Sequence, residues 1–241
     1  MTTIALDLLV FGPHADDLEI GLGGTIARHT AAGWHVGLCD LTRGEMGSNG
    51  TPEERLAEAE AARAVLGADW RVNLGWPDRG ITGTADQVGD IVALVRRWRP
   101  RAIAIPFWQD RHPDHGAASR VLTEAIFNAR LRRYPAEGDP WAPDWVCYYF
   151  INDSGPISFA IDVSAQYGSK RTALACYRSQ FRPDADGAVA TRLNTPTFSQ
   201  LIESRDAQFG ALAGVAFAEG LVVKEPVLRP HLFKNWALER P

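Results

Sequence analysis

The sequence contains few cysteines, and those present do not form a recognisable motif. Cys39, Cys147 and Cys176 are the three in 241 residues, and no two of them form a CxxC pair. Such spacing excludes a cysteine-rich structural zinc module and favours free thiols over a disulfide framework. The cysteine content therefore predicts a protein of a reducing compartment.

The sequence also lacks an excess of basic residues and any long apolar run. It has 25 Lys and Arg against 29 Asp and Glu, a formal net charge of -4, whereas nucleic-acid binders usually carry a basic surface. No apolar stretch reaches the roughly 20 residues that span a bilayer, and the first residues lack the features of a signal peptide. We expect a cytoplasmic protein that binds neither nucleic acid nor a membrane.

What the sequence does contain is an alternation of short apolar segments and helical segments. Four predicted strands, each followed by a predicted helix, are "IALDLLVF", "HVGLCDLT", "DWRVNLG" and "RAIAIPF". This alternation predicts a Rossmann-like, doubly wound α/β fold, a mostly parallel sheet with helices on both faces. We assign residues 1–132 to this core and residues 133–241 to strands and helices that complete it, so one domain, 1–241, is predicted.

Two helices have clear boundary signals. Thr51, Pro52 and Glu54 form the N-cap, first position and third position of a capping box. The helix that follows the first strand is predicted to open with the small residues "GLGG" and to close at Gly33. We expect the glycines of "GLGG" to let this helix pack close to the sheet.

Polar clusters follow the first and fourth predicted strands. They are "HADD" at residues 14–17 and "RHPDH" at residues 111–115. In the doubly wound order these strands are neighbours, and ligands bind outside the strand ends where the chain reverses direction. The two clusters should therefore form one composite site.

The spacing within the clusters favours a metal site. His14 and Asp17 are three residues apart, as are His112 and His115, so each pair projects to one side of a turn entering a helix. His14, Asp17 and one or both of these histidines can converge on a cation, in the composition of a catalytic zinc site. The cation would offset the repulsion between Asp16 and Asp17, and Asp16 would face bound water as a general base.

Other interpretations of these residues are open. Two histidines and a carboxylate also form the facial triad of non-haem iron oxygenases, and a binding module could hold a metal or sugar without turnover. "GLGG" is not a dinucleotide fingerprint, because Ile26 stands where the third glycine is needed. His29, His35 and His231 are interpreted as surface or structural residues.

"PHADDLEIGLGGT" resembles the A-H-P-D-D-x-E signature of the LmbE-like, or PIG-L, family of zinc-dependent N-acetylglucosamine deacetylases. "RHPDH" resembles the second metal motif of that family, and the similarity extends over nearly the whole chain. The further matching segments are "CDLTRGEMGSNGTPEERLAEA", "LGWPDRGI", "YYFIND", "YRSQF" and "FAEGL". Ala15 and the "SNGT" loop are most similar to the bacillithiol-biosynthesis branch, which deacetylates N-acetylglucosaminyl-malate.

The resemblance implies a metal centre and a general base. His14, Asp17 and His115 match the zinc ligands, and Asp16 matches the general base. Fe²⁺, Mn²⁺ or Co²⁺ would suit the same ligands. Relatives are often hexameric, so the resemblance also implies a homo-oligomer that acts on a small amino-sugar conjugate. A deacetylase for another conjugate (mycothiol-like, glycopeptide or chitooligosaccharide) is the nearest alternative.

The resemblance also implies residues that handle the substrate. His112, oriented by Asp114, would stabilise the oxyanion or protonate the leaving amine. Arg55 and Asp78 match positions that hold polar groups of the substrate, and Glu45 is expected in the same pocket.

The sequence leaves two of these roles open and departs from the family pattern at another point. Arg55 could instead pair with Glu58 on an exposed helix face, and Asp78 could be a type I turn residue in "PDRG". The segment "GDPWAPDW" lacks the arginine expected in the bacillithiol branch, and Asp144 cannot replace it as an anion contact. Recognition of the malate carboxylates is therefore less well supported than the chemistry.

Overall fold

A computed structural model describes residues 5–182 and 189–228 of the chain. Its strands are β1 Leu8–Gly12, β2 Val36–Thr42, β3 Trp70–Trp76, β4 Ala102–Pro106, β5 Trp145–Tyr149, β6 Phe159–Asp162 and β7 Ala218–Val222. Its helices are α1 Asp17–Ala31, α2 Pro52–Leu66, α3 Ala85–Trp98, α4 Pro113–Ala129, α5 Tyr167–Cys176, α6 Arg178–Phe181 and α7 Pro196–Ala213, with a 3₁₀ turn at Ser164–Gln166.

The seven strands form one sheet in the order β3-β2-β1-β4-β5-β7-β6. Strands β1 to β5 are parallel, and β1 lies between β2 and β4. The predicted mostly parallel sheet and the predicted neighbouring positions of strands 1 and 4 are confirmed. The sheet is completed by β7, which pairs antiparallel with both β5 and β6.

Side chains of alternate residues along β1 enter two separate cores. Leu8 and Val10 pack with α1, α2, α5 and α7 on one face of the sheet. Leu9 and Phe11 pack with α3 and α4 on the other face. Because both faces of β1 are covered, its sequence is apolar without alternation, as expected for a central parallel strand.

Helix α1 begins earlier than predicted. It starts at Asp17, so Asp16 and Asp17 stand at the helix N-terminus and not in a loop before it. Gly33 has a φ of +85° just beyond the helix end, a conformation that glycine adopts without strain. The carboxylates therefore occupy the end of the helix at which the backbone dipole favours negative charge.

The capping box of α2 is confirmed, because Thr51 and Glu54 exchange side-chain-to-backbone hydrogen bonds of 3.1 and 2.7 Å. The segment "SAQYGSKRTALACYRSQF", whose composition suits one helix, is divided into the 3₁₀ turn, α5 and α6. The break falls at Tyr177, whose φ of -81° and ψ of 67° are not helical. Its ring is fully buried in the core beside α1 and α2, so tertiary packing overrides the helical pattern here.

The glycines of "GLGG" do bring α1 close to the sheet. A Cβ at Gly21 would lie 2.2 Å from Cδ2 of Tyr149 on β5, and one at Gly24 would lie 2.7 Å from Cβ of Val163. The expectation for these glycines is confirmed. The three cysteines are free, and among residues 5–182 and 189–228 we find no helix of the length and apolarity needed to cross a membrane.

We predict that Gly21→Ala destabilises the protein by about 1–3 kcal/mol, the usual cost of overpacking a filled core. The Tyr149 ring cannot easily move away, because its hydroxyl donates a buried hydrogen bond of 2.8 Å to the Phe11 carbonyl. Gly89→Ala in α3 is the matched control: nothing lies within 4 Å of its added Cβ, so it should stabilise α3 by up to about 1 kcal/mol. Urea unfolding of both variants measures the difference, and equal stabilities would contradict the close-packing role of Gly21.

Candidate active site

The ends of β1 and β4 bring the two polar clusters together, as the predicted topology requires. The ring centroids of His14 and His112 are 4.9 Å apart, those of His14 and His115 are 5.6 Å apart, and those of His112 and His115 are 4.7 Å apart. Residues about a hundred positions apart in sequence therefore form one compact cluster.

Asp17 lies between two imidazoles. Its Oδ2 is 3.2 Å from Nδ1 of His14 and 3.3 Å from Nε2 of His115. Burial alone would raise the pKa of Asp17, but the neighbouring imidazoles outweigh it and hold that pKa well below its usual range. Asp17 is therefore an ionised carboxylate at the centre of the cluster.

The other nitrogen of His14 faces two further carboxylates. Nε2 lies 3.1 Å from Oδ1 of Asp78 and 3.4 Å from Oδ2 of Asp114. Burial lowers the pKa of His14, but the surrounding acids outweigh it and raise that pKa well above its usual range. Without an added proton or cation, the carboxylates of the cluster would therefore carry more charge than its other residues neutralise.

The donor atoms suit a divalent metal ion. In the described part of the chain, two groups place their ligand atoms within 4.8 Å of one another: His14 with His112 and His115, and His14 with Asp78 and Asp114. Imidazole nitrogens and carboxylate oxygens are the usual ligands of Zn²⁺ and of non-haem Fe²⁺. Neither group includes Asp17, although its Oδ2 lies 3.2 Å from His14 and 3.3 Å from His115. The ligand set of His14, Asp17 and His115 therefore stays a prediction, and His112, Asp78 and Asp114 are further candidates.

Asp110 is a further site residue, outside the two sequence motifs and without a predicted role. Its carboxylate lies 3.0 Å from Nδ1 of His115 and accepts hydrogen bonds from the backbone amides of His112 and Asn152. A metal-binding histidine commonly donates its second ring N–H to a carboxylate in this way, which fixes the tautomer and leaves the other nitrogen free for the metal. Asp110 precedes the "HPDH" motif by two residues, and its side chain has this role only because the loop turns back.

Asp114 contacts His112 through its backbone amide, whereas its carboxylate has other partners. Its carboxylate accepts hydrogen bonds of 2.9 and 2.8 Å from the backbone N and Nη1 of Arg79, and it faces His14. It is the backbone amide of Asp114 that donates to Nδ1 of His112, at 3.3 Å. The helix start of α4, and not the Asp114 side chain, therefore orients His112.

Asp16 differs from Asp17 in backbone and charge state. It has a φ of +101°, a conformation that costs a non-glycine residue about 1–3 kcal/mol and is found at functional sites. Among residues 5–182 and 189–228 its buried Oδ2 has no hydrogen-bond partner. Burial raises the pKa of Asp16 to about 7, against the opposing effect of the Arg55 charge. Adjacent carboxylates with separated pKa values are typical of acid–base assignments in active sites.

Arg55 points into the site and does not pair with Glu58 on the helix surface. It is 5% exposed, and its guanidinium donates to the carbonyls of Gly44 at 3.1 Å and Ala15 at 2.7 Å. Nη2 also lies 3.7 Å from Oδ2 of Asp16, while Glu58 accepts hydrogen bonds from Ser179. Arg55 therefore holds the loops around Asp16 and lines the cavity as well.

Asp78 belongs both to a turn and to the site. The Gly80 amide donates to the Pro77 carbonyl at 2.9 Å, which closes a four-residue turn. Arg79, the third residue of this turn, has a φ of +63°, so the turn is not the type I turn considered from the sequence. The Asp78 carboxylate reaches His14. Glu45 accepts a hydrogen bond of 3.0 Å from the Asp78 amide and is not among the cavity-lining residues. Glu45 therefore lies next to the cavity, where its carboxylate supports the turn that presents Asp78.

The cluster lies at the base of a cavity of about 510 Å³, within the size range of small-molecule sites. Its lining combines site residues, loop residues and apolar residues: His14, Asp16, Asp17, Ile20, Met46, Gly47, Ser48, Arg55, Asp78, Arg79, Arg111, His112, Pro113, His115, Ile151, Asn152, Gln180, Thr191, Leu193 and Phe198.

Two of the histidines interpreted as surface or structural residues, His29 and His35, have partners outside the site. Nδ1 of His29 is 2.8 Å from the Thr25 carbonyl one turn earlier, and Nδ1 of His35 is 3.0 Å from Asp69. His231 lies outside the described residues.

The fold and the site together define a Rossmann-like α/β protein with a candidate divalent-metal centre at the β1–β4 switch point. The sequence matches the family model PIG-L, described as GlcNAc-PI de-N-acetylase, over residues 9–126. The chain belongs to this family.

Two relatives are similar to most of the chain. The conserved protein TT1542 from Thermus thermophilus is 40% identical, with a TM-score of 0.86, over 95% of this chain and 100% of that one. A diacetylchitobiose deacetylase of Thermococcus kodakarensis is 28% identical over 229 residues, 89% of this chain and 81% of that protein.

Two further matches differ in how much of the chain they cover and in the activity for which they are named. A 1D-myo-inositol 2-acetamido-2-deoxy-alpha-D-glucopyranoside deacetylase of Rhodococcus erythropolis is 31% identical over 59% of this chain and 60% of that protein. GalB, a 4-carboxy-2-hydroxymuconate hydratase of Pseudomonas putida, has a TM-score of 0.78 at 20% identity, over 95% of this chain and 100% of that one. The last likeness shows the fold alone, and this fold therefore occurs with more than one chemistry.

We predict that the chelator-treated protein loses stability between pH 6.5 and pH 9. Burial opposes protonation of His115, but Asp17 and Asp110 outweigh it and raise its pKa from 6.5 to about 9. The contribution of His115 is therefore complete below pH 6.5 and is lost as the pH rises through 9. A shift of this size corresponds to about 3 kcal/mol.

Thermal unfolding measured across this pH range tests the prediction. His115→Asn should reduce the pH dependence, and His35→Asn, at an exposed ion pair with Asp69, should leave it nearly unchanged. Parallel pH profiles for wild type and His115→Asn would show that His115 is not protonated in the metal-free protein.

Proposed function

We propose that the protein is a metal-dependent N-deacetylase that removes the acetyl group from an N-acetylglucosamine conjugate. The observation that carries the proposal is the buried Oδ2 of Asp16, which has no hydrogen-bond partner in the described part of the chain and lies beside the cluster of His14, Asp17 and His115. Membership in the PIG-L family and the deacetylase activities for which its relatives are named support amide hydrolysis over oxygenase chemistry or binding without turnover.

The metal would be held by His14, Asp17 and His115. Zn²⁺ is proposed, and Fe²⁺, Mn²⁺ or Co²⁺ would suit the same donors. When bound, such an ion lowers the pKa of a water molecule and polarises a carbonyl group. Asp110 contacts Nδ1 of His115, so Nε2, which lies 3.3 Å from Oδ2 of Asp17, is the nitrogen that would hold the ion.

Asp16 is assigned as the general base. Its pKa of about 7 is close to neutral pH. At that pH a carboxylate with such a pKa is partly ionised and accepts a proton effectively. Asp16 takes a proton from the attacking water and returns it to the sugar nitrogen. The amide C–N bond breaks, and acetate and a free amine are released.

His112 is assigned the role of stabilising the oxyanion that develops during the reaction. Burial lowers its pKa, and the charges of His115 and His14 lower it further, so the ring is neutral at pH 7. Its Nδ1 accepts from the Asp114 amide, which places the proton on Nε2. A neutral N–H in this position can donate to the oxygen on which negative charge develops.

The substrate proposed is N-acetylglucosaminyl-malate of bacillithiol biosynthesis. Ala15 and the "SNGT" loop favour this branch, and part of that loop, Ser48, lines the cavity. Arg79 and Arg111 also line it, so cationic groups are available to meet carboxylates although "GDPWAPDW" has no arginine. The alternatives are the inositol and chitobiose conjugates named for the relatives. A cytoplasmic location stays a prediction. Assembly into a homo-oligomer, such as the hexamer that the family resemblance implies, also stays a prediction.

We predict that Asp16→Asn keeps its metal and loses turnover. The amide cannot accept a proton, so kcat should fall by about a hundred- to ten-thousand-fold, while zinc content measured by atomic absorption stays near wild type. Asp144→Asn, at an exposed position away from the cavity lining, is the control and should keep wild-type kcat. A near wild-type rate for Asp16→Asn would overturn the assignment of the base.

Amine release by the zinc-loaded protein tests the proposed reaction and substrate together. The panel contains N-acetylglucosaminyl-malate, N-acetylglucosaminyl-inositol, N,N′-diacetylchitobiose and N-acetylglucosamine. We expect the highest kcat/KM for the malate conjugate. Preference for another member would keep the chemistry and replace the substrate, and no release from any of them would refute the deacetylase proposal.

A further inference from the structure

Helix α1, which carries Asp17 at its first position, is interrupted. Leu22 has a φ of -135° and a ψ of 16°, which are not helical. In an uninterrupted helix the Gly24 amide would donate to the Ile20 carbonyl, four residues earlier. The position of the first half of α1, and of Asp17 with it, therefore depends on what holds the chain at this break.

Charged side chains from the C-terminal part of the chain bind both sides of the break. The Ile20 carbonyl accepts a hydrogen bond of 2.7 Å from Nη2 of Arg205. The amides of Gly24 and Thr25 donate to the two carboxylate oxygens of Glu219, at 2.9 and 2.6 Å. Arg205 and Glu219 thus satisfy backbone groups at the break, as capping residues do at a helix end.

Arg205 and Glu219 belong to one buried ionic network. Lys170 donates to Asp206 at 2.7 Å and to Glu219 at 2.6 Å, and Nε of Arg205 donates to Asp206 at 3.1 Å. None of the four is more than 7% exposed. The charges of the two cations and the two anions cancel. A buried network of this kind is stable only when its hydrogen bonds have a well-defined geometry.

Arg205 also reaches the other half of the site. Its Nη1 donates to the Ile151 carbonyl at 2.7 Å, and the next residue, Asn152, donates to Asp110. Asp110 in turn contacts Nδ1 of His115. One guanidinium therefore connects the helix that carries Asp17 with the loop that supports His115.

We propose that Arg205 is a positioning residue that fixes the separation of Asp17 from His115. It does not line the cavity, and its guanidinium holds the backbone through the carbonyls of Ile20, Phe150 and Ile151. The inference rests on the metal-binding part of the proposed function. Asp206, by accepting from Nε, holds the guanidinium in the plane that reaches both carbonyls.

Zinc affinity and amide exchange test this inference. Arg205→Lys keeps the charge but cannot make the same set of directed hydrogen bonds. We expect it to bind Zn²⁺ about 10- to 100-fold more weakly, the usual effect of losing support behind metal ligands, in competition with a chromophoric chelator. Backbone amides of residues 17–20 and 151–152 should exchange faster with deuterium, and both segments should do so together.

Further variants separate positioning from general instability. Arg205→Gln combined with Asp206→Asn removes one charge of each sign, which keeps the buried network balanced if Arg205→Lys fails to fold. Ile202→Ala is the control variant. Ile202 lies on the same helix, α7, packs in the core and does not line the cavity. The substitution should lower the melting temperature while zinc affinity stays within about twofold of wild type.

Equal losses of zinc affinity in the Arg205 variants and in Ile202→Ala would overturn the inference, as would faster exchange in one segment alone. Zinc affinity and exchange do not depend on turnover. If wild-type protein binds zinc but releases no amine, the proposed reaction fails while the role of Arg205 is still decided by these measurements.

Discussion

The central physical constraint in this protein is the confinement of two adjacent carboxylates at the buried start of a helix. Asp16 and Asp17 repel each other, and burial strengthens the repulsion because the interior screens charge less than water does. The structure resolves this by giving them different partners. Asp17 lies between two imidazoles, whereas Asp16 turns away through a left-handed backbone towards Arg55. The opposite displacement of their pKa values follows from this arrangement.

The surrounding fold supplies the rigidity that such a concentration of charge requires. On the sheet side of α1, Arg71 holds Asp40 through two hydrogen bonds of 2.7 Å and Glu19 through one of 2.6 Å. Near the break in α1, Arg205 and Glu219 bind the backbone. Charged networks from different regions of the chain thus fix the same short helix, which carries the candidate metal ligand.

Several features could be predicted from the sequence because their causes are local. The capping box at Thr51 and Glu54 depends on residues three positions apart, and the apolar run of β1 reflects burial on both faces. Strand β7 was not predicted, because Glu219 and Gly220 interrupt the apolar pattern of a five-residue segment. Glu219 is tolerated there only because Lys170 and the backbone of α1 neutralise and bind its carboxylate.

The sequence by itself determined the order of the elements and the two motifs that end β1 and β4, because hydrophobic patterning and short spacings encode them directly. Only the tertiary structure decided which groups the motif residues contact. The Asp110 carboxylate contacts the His115 ring, whereas Asp114 contacts the His112 ring through its backbone amide. Arg55 faces Asp16 instead of Glu58. The reason is physical: side-chain partners depend on loop direction and on charges contributed by distant segments, neither of which leaves a periodic signal in the sequence.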